Sequence, residues 1–127
     1  MKTSILNLLL IFLVIISFAS CDKDCVLTKG IEGEWVWTKS IGGIGGWTLT
    51  PNSEGINKKL IIDAYYYKEF ENDSLIFEDQ YDLVARNSNT YIDFENGLSY
   101  LIDIENYKLE LTEYLWTDGF THFYLRK

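Results

Sequence analysis

The sequence predicts an all-β fold, a small antiparallel up-and-down β-barrel of about eight strands. Three observations indicate this fold. From Trp35 onward, no segment repeats apolar residues at helical spacing over three turns. Short runs rich in β-branched and aromatic residues follow one another, and clusters of Asn, Asp, Gly and Ser separate them. A flat sheet of about eight or nine such strands would leave two open edges, which closure into a barrel removes.

The first predicted strand begins at Trp35, and the others follow at short intervals. In chain order they are residues 35–38, 59–63, 66–70, 75–77, 81–85, 90–94, 99–104, 108–111 and 121–126. Turn residues lie between them at 71–74, 86–89, 95–97, 105–106 and 117–119. Asn96-Gly97 and Asp118-Gly119 are expected to supply the positive φ angles of tight hairpins, so consecutive strands pair antiparallel.

Alternation of apolar and polar residues predicts which side of each strand faces the core. Ile92 and Phe94 share one face of their strand, while Tyr91 and Asp93 lie on the other. Near the chain end, the leucines at 109 and 111 alternate with Lys108 and Glu110 in the same way. These strands are therefore expected to be buried on one face only.

The first 20 residues are predicted to be a lipoprotein signal peptide that precedes a lipidated Cys21. Lys2, an apolar run over residues 5–18 and the small pair Ala19-Ser20 form its three regions. The run of about 14 residues is shorter than the roughly 20 that cross a bilayer, which disfavours a membrane span; plain secretion is the other alternative. Cys21 would carry three acyl chains, palmitate among them, and these anchor the protein firmly.

Residues 21–30 are predicted to form the lipidated cysteine and an acidic tether, and residues 31–127 the barrel domain. The run Asp22-Lys23-Asp24 resembles the export tether of Bacteroidota lipoproteins, which directs them to the outer leaflet of the outer membrane. A solvated spacer is the alternative. We therefore expect a lipid-anchored protein of the cell outer membrane, either periplasmic or surface-exposed, with Cys25 as a free thiol in the tether.

Length and charge limit the function further. The 127 residues less the 20 of the signal peptide leave 107, which suffice for one domain. The whole chain has 19 acidic and 11 basic residues, a formal net charge of -8. Such a field repels phosphate-rich partners, so nucleic-acid binding and attachment to anionic lipid by a basic patch are disfavoured.

The motif Gly33-Glu34-Trp35 resembles the Gly-x-Trp signature at the first strand of lipocalins. The resemblance implies that Trp35 closes the bottom of the barrel and packs under an arginine just after the last strand, here Arg126. The segments 33–40 and 118–124, with the glycines between residues 42 and 46, are similar to small lipocalin-like lipoproteins of Bacteroidota. A barrel of about 100 residues has an interior that side chains nearly fill, so a filled core and a ligand cavity both remain open.

The lipocalin resemblance implies a small hydrophobic or amphiphilic ligand. Aromatic residues are the candidate contacts: Trp47 after the glycine-rich loop at the expected barrel mouth, Tyr65 and Tyr67 on one predicted strand face, and Trp116 in the last hairpin. The alternative is a packed barrel that acts as a protein-interaction module through the same aromatic residues. The glycine-rich loop lacks the Lys-Ser or Lys-Thr and the strand-to-helix transition of a phosphate-binding loop.

No catalytic or metal site is expected. His122 is the only histidine, Cys25 lies in the tether, and no Ser-His-Asp or metal-ligand spacing can be assembled from the sequence. Asp79 and Asp82 are the alternative, a weak calcium pair without the spacing of a calcium loop. We therefore expect neither an enzyme nor a protein that carries a cofactor.

Overall fold

The computed structural model describes residues 30–114 and 117–127. The predicted signal peptide, Cys21, Cys25 and Trp116 lie outside the described residues. Within those two ranges, no helix has the length and apolar character needed to cross a membrane.

The chain forms an antiparallel β-barrel, and the predicted fold class is confirmed. The elements are β1 Gly33–Gly42, β2 Trp47–Leu49, α1 Pro51–Glu54, β3 Lys58–Ile62, β4 Tyr66–Glu71, β5 Ser74–Arg86, β6 Asn89–Phe94, β7 Ser99–Glu105, β8 Lys108–Glu113 and β9 Phe120–Arg126. From β3 to β9 each strand pairs with the next, and β1 pairs with both β3 and β9 to close eight strands into a ring. The extra strand β2 pairs with the last residues of β1.

Two features of the strand order differ from the prediction. β5 is one strand of 13 residues, where two strands at 75–77 and 81–85 were expected. Its first half pairs with β4 and its second half with β6, so the acidic residues between the halves continue the strand. The short elements β2 and α1 were not predicted. α1 begins after Thr50, whose hydroxyl accepts the Ser53 N–H while the Ser53 hydroxyl accepts the Thr50 N–H.

Most tight turns follow the expected chemistry. Positive φ angles occur at Asn72 and Asp73 between β4 and β5, at Asn87 and Ser88 between β5 and β6, and at Gly97, where φ is 87°.

The prediction for Asp118-Gly119 was wrong, because neither residue has a positive φ. Gly119 instead occupies a position with little room for a side chain. A Cβ there would lie 3.0 Å from the Cβ of Glu113 and 3.2 Å from its carbonyl oxygen.

The end of the barrel where β1 begins, here called the lower end, is closed. Ile31 is fully buried under it, and the Trp35 indole N–H donates to the Ile31 carbonyl over 2.8 Å. The Arg126 guanidinium lies 4.1 Å from the centre of the Trp35 ring and donates to the carbonyl oxygens of Gly30 and Glu32. A Cβ at Gly33 would lie 2.7 Å from Nη1 of Arg126. The glycine of the Gly-x-Trp motif therefore makes room for the arginine that the resemblance implies.

The core fills most of the barrel with apolar and aromatic side chains. Ile92 and Phe94 are buried, as are Leu109 and Leu111, so the alternation in these strands predicted their inner faces correctly. The remaining buried apolar residues are Ile31, Trp35, Trp37, Leu60, Ile62, Tyr67, Tyr91 and Tyr124. Tyr91 lies on the outer face, as predicted, and is covered there by the ring of Tyr114 and the guanidinium of Arg86.

Candidate functional site

Three of the four aromatic residues predicted to contact a ligand lie among the described residues, and these three do not share a surface. Trp47 lies on β2 at the upper end, the end opposite Trp35, and is 65% exposed. Tyr65 is 73% exposed in the turn between β3 and β4, which lies at the lower end. Tyr67 is buried inside the barrel. The expectation that Tyr65 and Tyr67 share a strand face was wrong, because the Asp63 carboxylate accepts the N–H groups of residues 65 and 66 and holds Tyr65 in a turn.

The glycine-rich segment is a hairpin rather than an open loop. The Gly46 N–H donates to the Gly43 carbonyl, and the two glycines have φ angles of 62° and 74°. The Trp47 indole packs on this hairpin, since a Cβ at Gly45 would lie 2.6 Å from its Nε1 atom. Trp47 therefore covers the glycine backbone at the upper end.

A hydrogen-bond chain inside the barrel joins four residues that sequence reasoning did not bring together. The Trp37 indole N–H donates to Ser40 Oγ over 2.9 Å, and Ser40 Oγ lies 2.7 Å from His122 Nδ1. His122 Nε2 lies 3.3 Å from Glu113 Oε1. Because the Glu113 carboxylate can only accept, Nε2 of the neutral ring carries the proton, so Nδ1 accepts and the Ser40 hydroxyl donates to it.

An irregularity in β1 explains why this chain of hydrogen bonds escaped the sequence pattern. The register of β1 against β9 shifts between Trp37 and Lys39, and the extra residue Thr38 donates its hydroxyl to the Phe123 carbonyl. A β-bulge of this kind brings two residues three positions apart onto the same face. Trp37 and Ser40 therefore both point inward, and Ser40 is only 3% exposed.

His122 is held neutral by its surroundings. Burial lowers the pKa of His122 below its ordinary value of 6.5, and hydrogen bonding and attraction from Glu113 act in the opposite direction. The contact with Glu113 is thus a hydrogen bond of a neutral imidazole at pH 7. Glu113 also accepts the Phe120 N–H at the start of β9, so it connects the two strands at the upper end.

The Ser40, His122 and Glu113 side chains are the residue types of a hydrolytic triad. The combination expected to be absent was Ser-His-Asp, whereas Glu113 is the acid of this group. Its arrangement differs from the serine-protease triad, in which the serine contacts Nε2 and the acid contacts Nδ1. Ser40 also accepts the Trp37 N–H and is almost fully buried, so its oxygen is not presented to an incoming carbonyl.

A second polar group, here called the tyrosine–carboxylate cluster, consists of Tyr67, Glu69, Tyr100 and Tyr124. Tyr67 and Glu69 lie on the inner face of β4, opposite Ile62 and Leu60 of β3. Tyr124 is opposite Leu109 and Trp37, both of which are buried. Tyr100 pairs with Ile92, which is also buried. The cluster therefore lies inside the barrel, among buried apolar side chains.

Polar atoms of this cluster have no partner among the described residues. Tyr67 and Tyr124 are 3% and 4% exposed, yet neither hydroxyl makes a hydrogen bond within residues 30–114 and 117–127. Since no fully enclosed side-chain oxygen of that part of the chain lacks a partner, these hydroxyls keep some accessible surface within the barrel. Glu69 likewise forms no ion pair within the described ranges.

The electrostatics of the cluster follow from burial and from Glu69. Burial raises the pKa of Glu69 above its ordinary value, and Lys58 opposes this shift. Burial raises the pKa of Tyr100 to about 12, with Glu113 and Glu69 adding to the effect. The pKa values of Tyr67 and Tyr124 lie well above their ordinary value for the same first reason, and Glu69 contributes to both. All three tyrosines are thus neutral hydrogen-bonding groups near one carboxyl group.

Charged residues surround the upper opening. Lys58 Nζ lies 3.8 Å from Glu71 Oε2 and 5.6 Å from the centre of the Trp37 ring. Beside the turn between β6 and β7 lies an open depression of about 480 Å³. Tyr100 and Glu113 line both this depression and the interior, so the depression adjoins the tyrosine–carboxylate cluster.

The predicted calcium pair is not assembled. Asp79 and Asp82 are three positions apart on β5, which places them on opposite faces of an extended strand. Among residues 30–114 and 117–127, no group of three His, Cys, Asp or Glu side chains is arranged to hold a metal ion.

Comparison of the chain with protein-family models, curated proteins and solved structures found no match. The fold and the site therefore define the class of protein. It is an eight-stranded antiparallel β-barrel with a closed lower end and polar groups in its interior. This architecture is compatible with a lipocalin-like fold.

Proposed function

We propose that this chain is a lipocalin-like lipoprotein whose barrel binds a small amphiphilic molecule through its upper end. One observation carries the proposal: the hydroxyls of Tyr67 and Tyr124 and the Glu69 carboxylate lie inside the barrel without partners among the described residues. Buried polar groups in native proteins nearly always have a hydrogen-bond partner, either in the protein, in ordered water or in a ligand. A ligand that supplies the missing partners accounts for these three groups.

The surroundings of the cluster favour a ligand with an apolar part. The rings of Tyr67, Phe77, Phe94 and Tyr100 contact one another edge to face, with centres 5.0 to 6.0 Å apart. These rings offer an apolar wall beside the polar groups, the usual composition of a small-molecule site. The dense packing also limits the occupant to a small molecule.

The lipid anchor and the location belong to the same proposal. Cys21 carries the acyl chains, and the acidic tether holds the barrel at the outer membrane, facing the periplasm or the cell surface. Catalysis is not part of the proposed role. Growth with an alkyne-labelled fatty acid followed by click chemistry tests the anchor. Cys21→Ser should abolish labelling, and the matched control Cys25→Ser should keep it; equal labelling of both variants would contradict lipidation at Cys21.

Ligand binding is tested by native mass spectrometry of the full mature chain, extracted in mild detergent from its own envelope. A reproducible added mass, beyond that of the anchor, is expected. Tyr67→Phe removes one hydroxyl from the cluster and should reduce the occupied fraction at least severalfold. The adjacent Tyr66→Phe, on the outer face, is the matched control and should not change it. A chain without added mass, or equal occupancy in both variants, contradicts binding at this cluster.

The second candidate function is a protein-interaction module, and the hairpin between β1 and β2 favours it. Ile44 is 91% exposed beside the exposed Trp47. Buried Tyr67 and distant Tyr65 cannot belong to this surface. A photo-crosslinking residue at position 44 should capture a defined envelope protein, and one at position 65 should not. Absence of a specific product at position 44 contradicts this candidate.

A further inference from the structure

Within the described residues, Glu69 lacks the hydrogen bonds or the ion pair that two other inward carboxylates, Glu71 and Glu113, possess. Glu113 accepts hydrogen bonds from His122 and from the Phe120 N–H, and Glu71 pairs with Lys58. Within the described residues Glu69 has neither an ion pair nor a hydrogen bond. A carboxylate withdrawn from water is costly unless an opposite charge or several donors accompany it.

Among the described residues, the one cation near the cluster is Lys58, and its ion pair is with Glu71. Lys58 lies opposite Glu71 in the register of β3 and β4, and its ammonium group also lies over the Trp37 ring. Its charge acts on Glu69 through space, without an ion pair, and partly offsets the effect of burial on the Glu69 pKa. The described part of the chain therefore leaves a negative group inside the barrel that a positive group from outside could neutralise.

The groups around Glu69 suit an ammonium group better than an anion or a neutral polar group. Tyr67 and Tyr124 supply hydroxyl oxygens that accept hydrogen bonds, and aromatic rings attract a desolvated cation. Anions are repelled by Glu69, by Glu113 and by the net charge of -8. A neutral alcohol can form hydrogen bonds here, but it leaves the carboxylate charge uncompensated.

If the barrel binds a small molecule as proposed above, we infer that the molecule presents a protonated amine to Glu69. The ammonium group lies between the Glu69 carboxylate and the hydroxyls of Tyr67 and Tyr124. Its apolar part contacts the rings of Phe94 and Tyr100. The class of ligand is thus a small organic amine with an apolar or aromatic tail.

The inference is tested by isothermal titration calorimetry of the full mature lipoprotein in mild detergent at pH 7.5. The probes are butylamine and phenethylamine, each with its neutral alcohol and its carboxylate counterpart of similar size. At least one amine should bind at least tenfold more tightly than its alcohol, and the carboxylates should not bind. Adding 0.5 M salt should also lower the affinity for the amine, but this loss should be severalfold smaller than the loss caused by Glu69→Gln. Salt screens a buried ion pair poorly.

Two variants separate a direct contact from a general effect of charge. Glu69→Gln should reduce amine affinity at least tenfold and bring it to the level of the alcohol. Glu78→Gln is the matched control, since Glu78 lies on the outer face and pairs with Lys68, and it should leave the affinity unchanged. Thermal unfolding of both variants verifies that each is folded.

The outcomes separate two claims, that the barrel binds a small molecule and that this molecule is an amine. Equal affinity for amine and alcohol, or an unchanged affinity in Glu69→Gln, overturns the inference, while binding itself still supports the proposed function. Failure of both amines also overturns it, and native mass spectrometry then decides whether another molecule occupies the barrel. A chain that carries no added mass and binds no probe overturns the proposed function as well.

Discussion

Replacement of Gly33 by alanine should destabilise the barrel through Arg126, a residue 93 positions away. A Cβ at position 33 would lie 2.7 Å from Arg126 Nη1, and the φ angle of Gly33 is 140°. The guanidinium must move to relieve this contact. It then loses its place over the Trp35 ring and its hydrogen bonds to the carbonyls of Gly30 and Glu32.

The magnitude follows from the contacts that are lost. A guanidinium over an indole contributes about 0.5 to 2 kcal/mol. Two hydrogen bonds from the guanidinium add about 1 kcal/mol each, less than the roughly 1.5 to 3 kcal/mol usual for a charged donor, because this group is exposed to solvent. The strained backbone costs about 1 kcal/mol more. Gly33→Ala should therefore lower the free energy of unfolding by about 3.5 to 5 kcal/mol, and the Tm by at least about 14 °C for a domain of this size.

Urea unfolding followed by tryptophan fluorescence measures this change. Gly46→Ala is the matched control, because Gly46 also has a positive φ but a Cβ at that position would have no atom within 4 Å; it should cost only about 1 kcal/mol. Gly33→Ala and Arg126→Ala should be strongly non-additive, because each removes the same contacts. Equal costs for the two glycine variants, or additive costs for Gly33 and Arg126, would refute the reasoning.

Three further predictions concern the inner polar groups. Burial raises the pKa of Glu69 above 4.5, so its ionisation opposes folding; Glu69→Gln should stabilise the protein at pH 7.5 and have little effect below pH 4.5, in urea titrations at both values. Because the pKa of His122 is lowered on folding, the neutral ring contributes to the free energy of unfolding fully above pH 6.5, and this contribution is lost as the pH falls. Nitrogen NMR should show a neutral ring protonated on Nε2 at pH 7. Ser40→Ala should cost about 1 to 3 kcal/mol, because it leaves the Trp37 N–H buried without an acceptor; no loss in urea unfolding would contradict the hydrogen-bond chain.

The fold could be predicted where local patterns and long-range packing agree. Alternation identified the inner faces of β6 and β8, and the turn residues at 72–73 and 87–88 marked two hairpins. β5 was divided in two because its acidic centre contradicts the apolar pattern of a strand. Its continuity depends on pairing with β4 and β6 in turn, which no local window contains.

The candidate site could not be predicted for two physical reasons. Ser40 and His122 are 82 positions apart, and only the bulge at Thr38 turns Ser40 inward. In β4, whose sequence is Tyr-Tyr-Lys-Glu-Phe-Glu, the alternation of apolar and polar residues predicts that Phe70 faces the core. The register instead places Phe70 outside, under the Lys59 ammonium, and Glu69 inside. The interior carboxylate thus contradicts the binary pattern, and such conflicts are expected at functional sites.

The two ends of the barrel differ in how their polar groups are satisfied. At the lower end the Trp35 N–H and the Arg126 guanidinium each donate to backbone carbonyls, so stability alone accounts for them. Elsewhere inside the barrel, phenylalanine at positions 67 and 124 and leucine at 69 would fill the same interior without polar atoms that need partners. A charge buried without a partner is costly, so an apolar residue at position 69 would not be less stable on this account. Stability therefore gives no reason for Tyr67, Glu69 and Tyr124, whereas recognition of an amine gives a reason for all three.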